Sequence, residues 1–166
     1  MKKLILSLLV AAFVGGNTLS AQTITKNEDG KYSLSVGHVT LTVDAQKGGK
    51  IVSYRYDDKE ILSQTKIPNS FGSTFWTSPQ SEWNWPPVPE YDTKPFNAEV
   101  AGDKLILTGE KSKRFGYRVR KELTTDKKDN AIVITYTIIN ESGETRKVAP
   151  WEISRVPNGG ILFFDA

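Results

Sequence analysis

Aromatic rings and prolines crowd one stretch of this chain, Phe71 to Phe96. It holds three of the four tryptophans (Trp76, Trp83 and Trp85) and five of the eight prolines. Exposed apolar area is unfavourable in water, so a loop this aromatic either buries its rings or offers them to a flat, partly apolar ligand. A pyranose ring fits the second case, with C–H groups on one face and hydroxyls at its edge. Trp76, Trp83 and Trp85 are candidate stacking platforms, and Gln80, Ser81, Glu82 and Asn84 are candidate hydroxyl partners. The plainer alternative is that the tryptophans cap the open end of a β-sandwich. Pro86-Pro87-Val88-Pro89 stiffens the stretch and lowers the entropy lost on binding. Trp83 and Trp85 alternate around Asn84, so an extended backbone points both rings the same way.

A second constellation runs from Ala149 to Arg155. On a plain strand Trp151, Ile153 and Arg155 share one face, and Glu152 and Ser154 the other. Trp151 and Arg155 can then meet one ligand, whereas Glu152 joins them only through a bulge near Pro150. Glu152 is a weak candidate for a general base or hydroxyl acceptor, set against an ordinary cross-strand ion pair. Arg155 suits a sugar or anion contact, or a structural salt bridge. Arg118 and Arg120 lie opposite Tyr117 and Val119. They read as a solvated face, with an acidic-sugar or phosphate contact as the sharper alternative.

Other chemistry finds little support. His38, on a predicted strand early in the chain, is the single histidine and there is no cysteine, which leaves no basis for a transition-metal site or for Cys- or Ser-His catalysis. Asp57-Asp58 is too short for a calcium loop, and Gly48-Gly49 fits no nucleotide fingerprint. No cofactor is expected. Asn140-Glu141-Ser142 matches a glycosylation sequon, a pattern too short to carry weight.

The elements that must position these residues begin after a leader. Lys2 and Lys3, the apolar run Leu4 to Val14 and the small residues before Gln22 read as a secretory signal peptide over 1–21. Its removal takes the formal charge from +3 to +1, since two of the net positive charges are Lys2 and Lys3. Nucleic acid is then a poor partner, and no later run is apolar enough to span a bilayer. The expected compartment is the periplasm or the exterior. Residues 22–166 form one domain. Tyr32 to Val36, Val39 to Val43 and Tyr117 to Leu123 alternate as half-buried strands. Ile132 to Ile139 is apolar or β-branched on both faces and is expected to be central. Short strands with turn chemistry between them predict an all-β antiparallel sandwich. Ile161 to Phe164 is apolar enough to need strand neighbours on both sides, the pattern of a chain that is the N-terminal half of a longer protein.

Several segments together resemble the galactose mutarotase-like superfamily. They are Gly48-Gly49-Lys50-Ile51-Val52-Ser53, Asp58 to Leu62, and the Tyr117 to Asn140 hairpin. Phe75 to Gln80, Trp83 to Pro87 and Ala149 to Ile153 are similar to one branch of it, uncharacterised secreted proteins of Bacteroidetes type with a domain of unknown function. The resemblance implies a β-supersandwich with a carbohydrate cleft, and a mono- or oligosaccharide as partner. The superfamily's enzymes open sugar rings with a histidine acid and a glutamate base. Here Pro150-Trp151-Glu152 stands where a histidine-bearing segment is expected, so the mechanism does not carry over. The leading expectation is a carbohydrate-binding protein whose site comprises Trp76, Gln80, Trp83, Trp85, Trp151 and Arg155. The alternatives are an epimerase or mutarotase with an altered acid–base pair, and a structural sandwich with packed tryptophans. The pattern implies no particular oligomeric state.

Overall fold

A computed structural model describes residues 23–65, 67 and 70–159. The expected leader, residues 1–21, and the apolar segment Ile161 to Phe164 lie outside the described residues. The chain forms two antiparallel sheets. The first contains β1 (Ile24–Lys26), β2 (Tyr32–Val36), β3 (Val39–Asp44), β4 (Lys50–Tyr56), β5 (Lys59–Glu60), β6 (Ser73–Ser78) and β11 (Ala149–Ser154). Its order is β1-β2-β3-β4-β6-β11, with β5 added beside β4. The second contains β7 (Asn97–Ala101), β8 (Lys104–Thr108), β9 (Tyr117–Asp126) and β10 (Ala131–Asn140), in the order β10-β9-β8-β7. A 3-10 turn (Gln80–Glu82) and α1 (Pro89–Asp92) interrupt the aromatic stretch.

Alternation explains why these segments became strands. Leu34 of β2, and Leu41 and Val43 of β3, turn inward from the first sheet. Leu105, Leu107, Val119 and Leu123 of β8 and β9 meet them from the second, with β9 packed over β2. Each such buried aliphatic side chain contributes roughly 1.5–3 kcal/mol. The all-β sandwich expected from the sequence is the observed architecture.

Three local expectations need correction. Among the described residues β10 is an edge strand, not a central one. Ile132, Ile134, Tyr136 and Ile138 pack against the core, while Val133, Thr135 and Thr137 face outward and are exposed. β-branched residues favour extended backbone whether or not a second layer covers them, so the two-faced pattern overstated burial. Next, Phe71 to Phe96 is not loop throughout. β6 occupies Ser73–Ser78, with Ser73, Phe75 and Thr77 facing inward and Trp76 facing outward. His38 sits in the β2–β3 turn rather than on a strand, where its Nδ1 lies 2.7 Å from Asp57 Oδ1.

The turn between β3 and β4 touches the backbone of α1 directly. Its Gly48 has φ +65°, and a Cβ there would lie 2.3 Å from the backbone oxygen of Asp92. The Gly48 amide donates to Lys94 O at 2.9 Å, and the Phe96 amide donates to Ala45 O at 2.7 Å. The end of the aromatic stretch is thereby laced to this turn. Lys121 of β9 reaches the same turn from inside the sandwich, donating from Nζ to Gly48 O at 2.7 Å and Gly49 O at 2.9 Å. Burial pushes its amine down to about 7. The inward face of β9 thus carries one buried amine among Val119 and Leu123, and two backbone carbonyls satisfy it.

Candidate functional site

β6 and β11 pair antiparallel with Trp76 opposite Trp151 and Thr74 opposite Ile153. Side chains directly opposite lie on one face, so Thr74, Trp76, Trp151, Ile153 and Arg155 share the outer surface of the first sheet. The aromatic stretch folds back over that surface. Trp76 becomes the hub of a cluster, with its ring 5.7 Å from Trp83, 6.0 Å from Trp85 and 5.5 Å from Trp151. All three contacts are close to edge-to-face, the arrangement that aromatic quadrupoles prefer.

The four indoles differ in access. Trp83 is 3% exposed, Trp151 36% and Trp85 70%. Trp83 belongs to the core, where its Nε1 donates to Thr77 O at 2.8 Å. Its expected role as a stacking platform is corrected: it is packing. Trp83 and Trp85 do not point the same way, because Asn84 between them has φ +56° and breaks the extended backbone that the alternation assumed. The sandwich-capping alternative therefore holds for one tryptophan, and Trp85 and Trp151 stay open to solvent.

A hollow of about 410 Å³ lies on one side of the hub. Trp76, Trp85, Pro86, Pro87 and Pro89 supply apolar wall, and Asp92, Thr93 and Arg155 supply polar groups. Asp92 Oδ1 accepts a hydrogen bond from Trp76 Nε1 at 2.9 Å, which fixes the indole plane. Arg155 Nη1 donates to Thr74 Oγ1 at 3.1 Å, and its guanidinium carbon lies 5.9 Å from the centre of the Trp76 ring. A second, more open hollow is lined by Trp151 with Gln80, Ser81 and Pro150. Gln80 is exposed and donates to Asn84 O at 3.3 Å. Trp76, Trp85 and Arg155 thus converge on one hollow, and Gln80 and Trp151 on its neighbour.

Glu152 is elsewhere. It lies on the opposite face of β11, in a cleft of about 420 Å³ between the sheets, walled by Leu41, Ile51, Ile132, Ile134 and Tyr136. The hydroxyl of Ser73 donates to Oε1, and that of Ser154 lies 3.2 Å away. Desolvation raises the carboxyl above its ordinary value, and burial does the same to the Tyr136 phenol. No bulge brings Glu152 to the tryptophans, since its register with Phe75 is regular. Arg118 pairs with Glu141 at 3.1 Å and Arg120 with Glu122 at 3.0 Å, an ordinary solvated face.

Sequence reasoning missed Asp92, Lys50 and Lys121. A lysine at the inward phase of Tyr117, Val119 and Leu123 was a visible signal of a buried amine. Nothing in the sequence around Asp92 marked it as the partner of Trp76. Among the described residues no three histidine, cysteine or acidic side chains gather as a metal site requires, and no helix is long and apolar enough to cross a membrane.

No protein-family model matches the chain, and no curated protein is recognisably similar to it. One solved structure that it resembles is the 4-alpha-glucanotransferase from Thermococcus litoralis, at 15% identity and a TM-score of 0.44. That alignment covers 69% of this chain and 23% of the enzyme, so the chain spans less than a quarter of its length. A likeness at this level says nothing about ligand or reaction here. The resemblance to the mutarotase-like superfamily stands on the sequence motifs alone.

Proposed function

We propose that this is a carbohydrate-binding β-sandwich of the mutarotase-like supersandwich type, exported to the periplasm or the exterior by its leader. The observation that carries the reading is the hollow beside Trp76. Two indoles and three prolines wall it, and Asp92 and Arg155 stand at its polar side. A pyranose that stacks on an indole leaves its hydroxyl edge toward such polar groups. Rigid walls lower the entropy lost on binding. The neighbouring hollow at Trp151 and Gln80 gives a second sugar unit a place, which favours an oligosaccharide over a monosaccharide.

Calorimetric titration with neutral and acidic oligosaccharides of two to six units tests this. Saturable binding that weakens in Trp85→Ala supports the reading. Absence of binding across the panel returns the tryptophans to packing alone.

The epimerase alternative has its own observation, a carboxyl with raised affinity for protons in an apolar cleft beside Tyr136. A general base of this kind works best with its proton affinity moved toward neutral pH. Polarimetry on freshly dissolved aldoses, with Glu152→Gln as control, tests that reading. An anomerisation rate equal to that of buffer removes it for the sugars tried.

A further inference from the structure

Resting on the saccharide reading, we infer that the hollow beside Trp76 selects an acidic saccharide, with the anionic group, a uronate carboxylate or a sulfate ester, seated on Arg155. Arg155 lines the hollow with five N–H donors on its guanidinium, and its one side-chain hydrogen bond among the described residues goes to neutral Thr74. Among the described residues no carboxylate lies within ion-pair distance of it. The same holds for Lys50 at the start of β4. That side chain is buried, with its amine 4.1 Å from the centre of the Phe71 ring.

The two cations feel each other. Burial and the Arg155 charge both lower the proton affinity of Lys50, and Asp92 opposes them. Among the described residues Asp92 is the single carboxylate lining the hollow, and one of its oxygens is already taken by the Trp76 indole. Within the hollow, the Arg155 guanidinium thus faces one carboxylate that is already partly engaged, and Glu152, whose charge it also feels, stands on the opposite face of β11. An anionic sugar supplies the close ion pair that Arg155 lacks among the described residues, and a neutral one does not. A guanidinium fork also matches the planar carboxylate or the sulfate oxygens with two parallel hydrogen bonds, which a hydroxyl cannot accept. The ring of the same sugar unit can lie against Trp76, whose indole is 5.9 Å from the Arg155 guanidinium carbon.

The test compares three probes of equal length on the full chain: neutral galacto-oligosaccharide, oligogalacturonate and a sulfated galacto-oligosaccharide. Calorimetry is run at low and at physiological salt. The expected result is at least tenfold tighter binding of one or both acidic probes, with the ratio shrinking as salt rises. In Arg155→Gln the acidic-to-neutral ratio falls to about one. Arg155→Lys keeps the charge without the fork and retains part of the ratio, and near-ultraviolet circular dichroism confirms that both variants are folded. Which acidic probe is preferred distinguishes carboxylate from sulfate. Equal affinity for neutral and acidic probes overturns the inference and leaves the saccharide reading standing. A preference that survives Arg155→Gln also overturns it. Binding of none of the three sinks both together.

Discussion

Trp76 Nε1 donates to Asp92 Oδ1 at 2.9 Å, joining a residue on the outer face of β6 to one at the end of α1. Replacing Trp76 by Phe keeps a ring at the hub and removes the donor. The Asp92 carboxylate is half-buried, so losing this partner costs about 1–3 kcal/mol. Urea unfolding checks the stability loss, and oligosaccharide titration is expected to weaken in parallel because the indole plane is no longer fixed.

Trp83 and Trp85 are expected to separate stability from binding. Trp83→Ala removes a core side chain and costs about 3–5 kcal/mol, with binding lost only as the fold is lost. Trp85→Ala removes an exposed ring whose main contact is the edge-to-face one with Trp76, and costs about 0.5–1.5 kcal/mol. Its affinity for an oligosaccharide falls roughly two- to tenfold, the range an aromatic contact supplies. Chemical denaturation and calorimetry on both variants provide the comparison.

Gly48→Ala is expected to disturb the hollow from a distance. The added Cβ meets the Asp92 backbone oxygen, and the residue already has φ +65°. The backbone conformation alone costs about 1–3 kcal/mol for a non-glycine residue, before any clash is relieved. Relief requires α1 to move away from the turn, and α1 carries Asp92. Denaturation and titration of this variant are both expected to report a loss.

Lys121 predicts how stability depends on pH. Its folded value is about 7, and an unfolded lysine titrates near its ordinary 10.5. Between these values the unfolded chain holds a proton that the folded chain has released, so stability rises with pH through this window. Below pH 7 both states are protonated and the full cost of the buried charge applies. The Tyr91 and Tyr136 phenols, raised by burial, reverse the trend above about pH 10, where unfolded tyrosine ionises first. Urea midpoints from pH 7 to 9.5 are expected to climb in the wild type, and the climb is expected to flatten markedly in Lys121→Met.

The sandwich was legible because β2, β3 and β9 alternate cleanly, and a two-residue period has no other reading. The site was legible only in part. The division of faces, Trp151 and Arg155 on one and Glu152 on the other, follows from a regular β11, but Trp151 and Arg155 line separate hollows, which strand phase alone does not reveal. Trp83 was misplaced because one left-handed residue, Asn84, reverses the backbone that the alternation took as straight. β10 was misjudged because valine, isoleucine and threonine favour a strand for reasons of backbone sterics as well as burial. Lys50 and Asp92 come from separate parts of the chain, and only folding brings their charges near Arg155.

With Trp83, Trp85 and Trp151 all clustered on Trp76, the four indoles lie close enough to pass excitation energy between them. Excitation of one ring migrates among the others, so the emission spectrum reports the ensemble and not a single chromophore. A ligand that touches only Trp85 is therefore expected to alter light that originates in rings it never contacts.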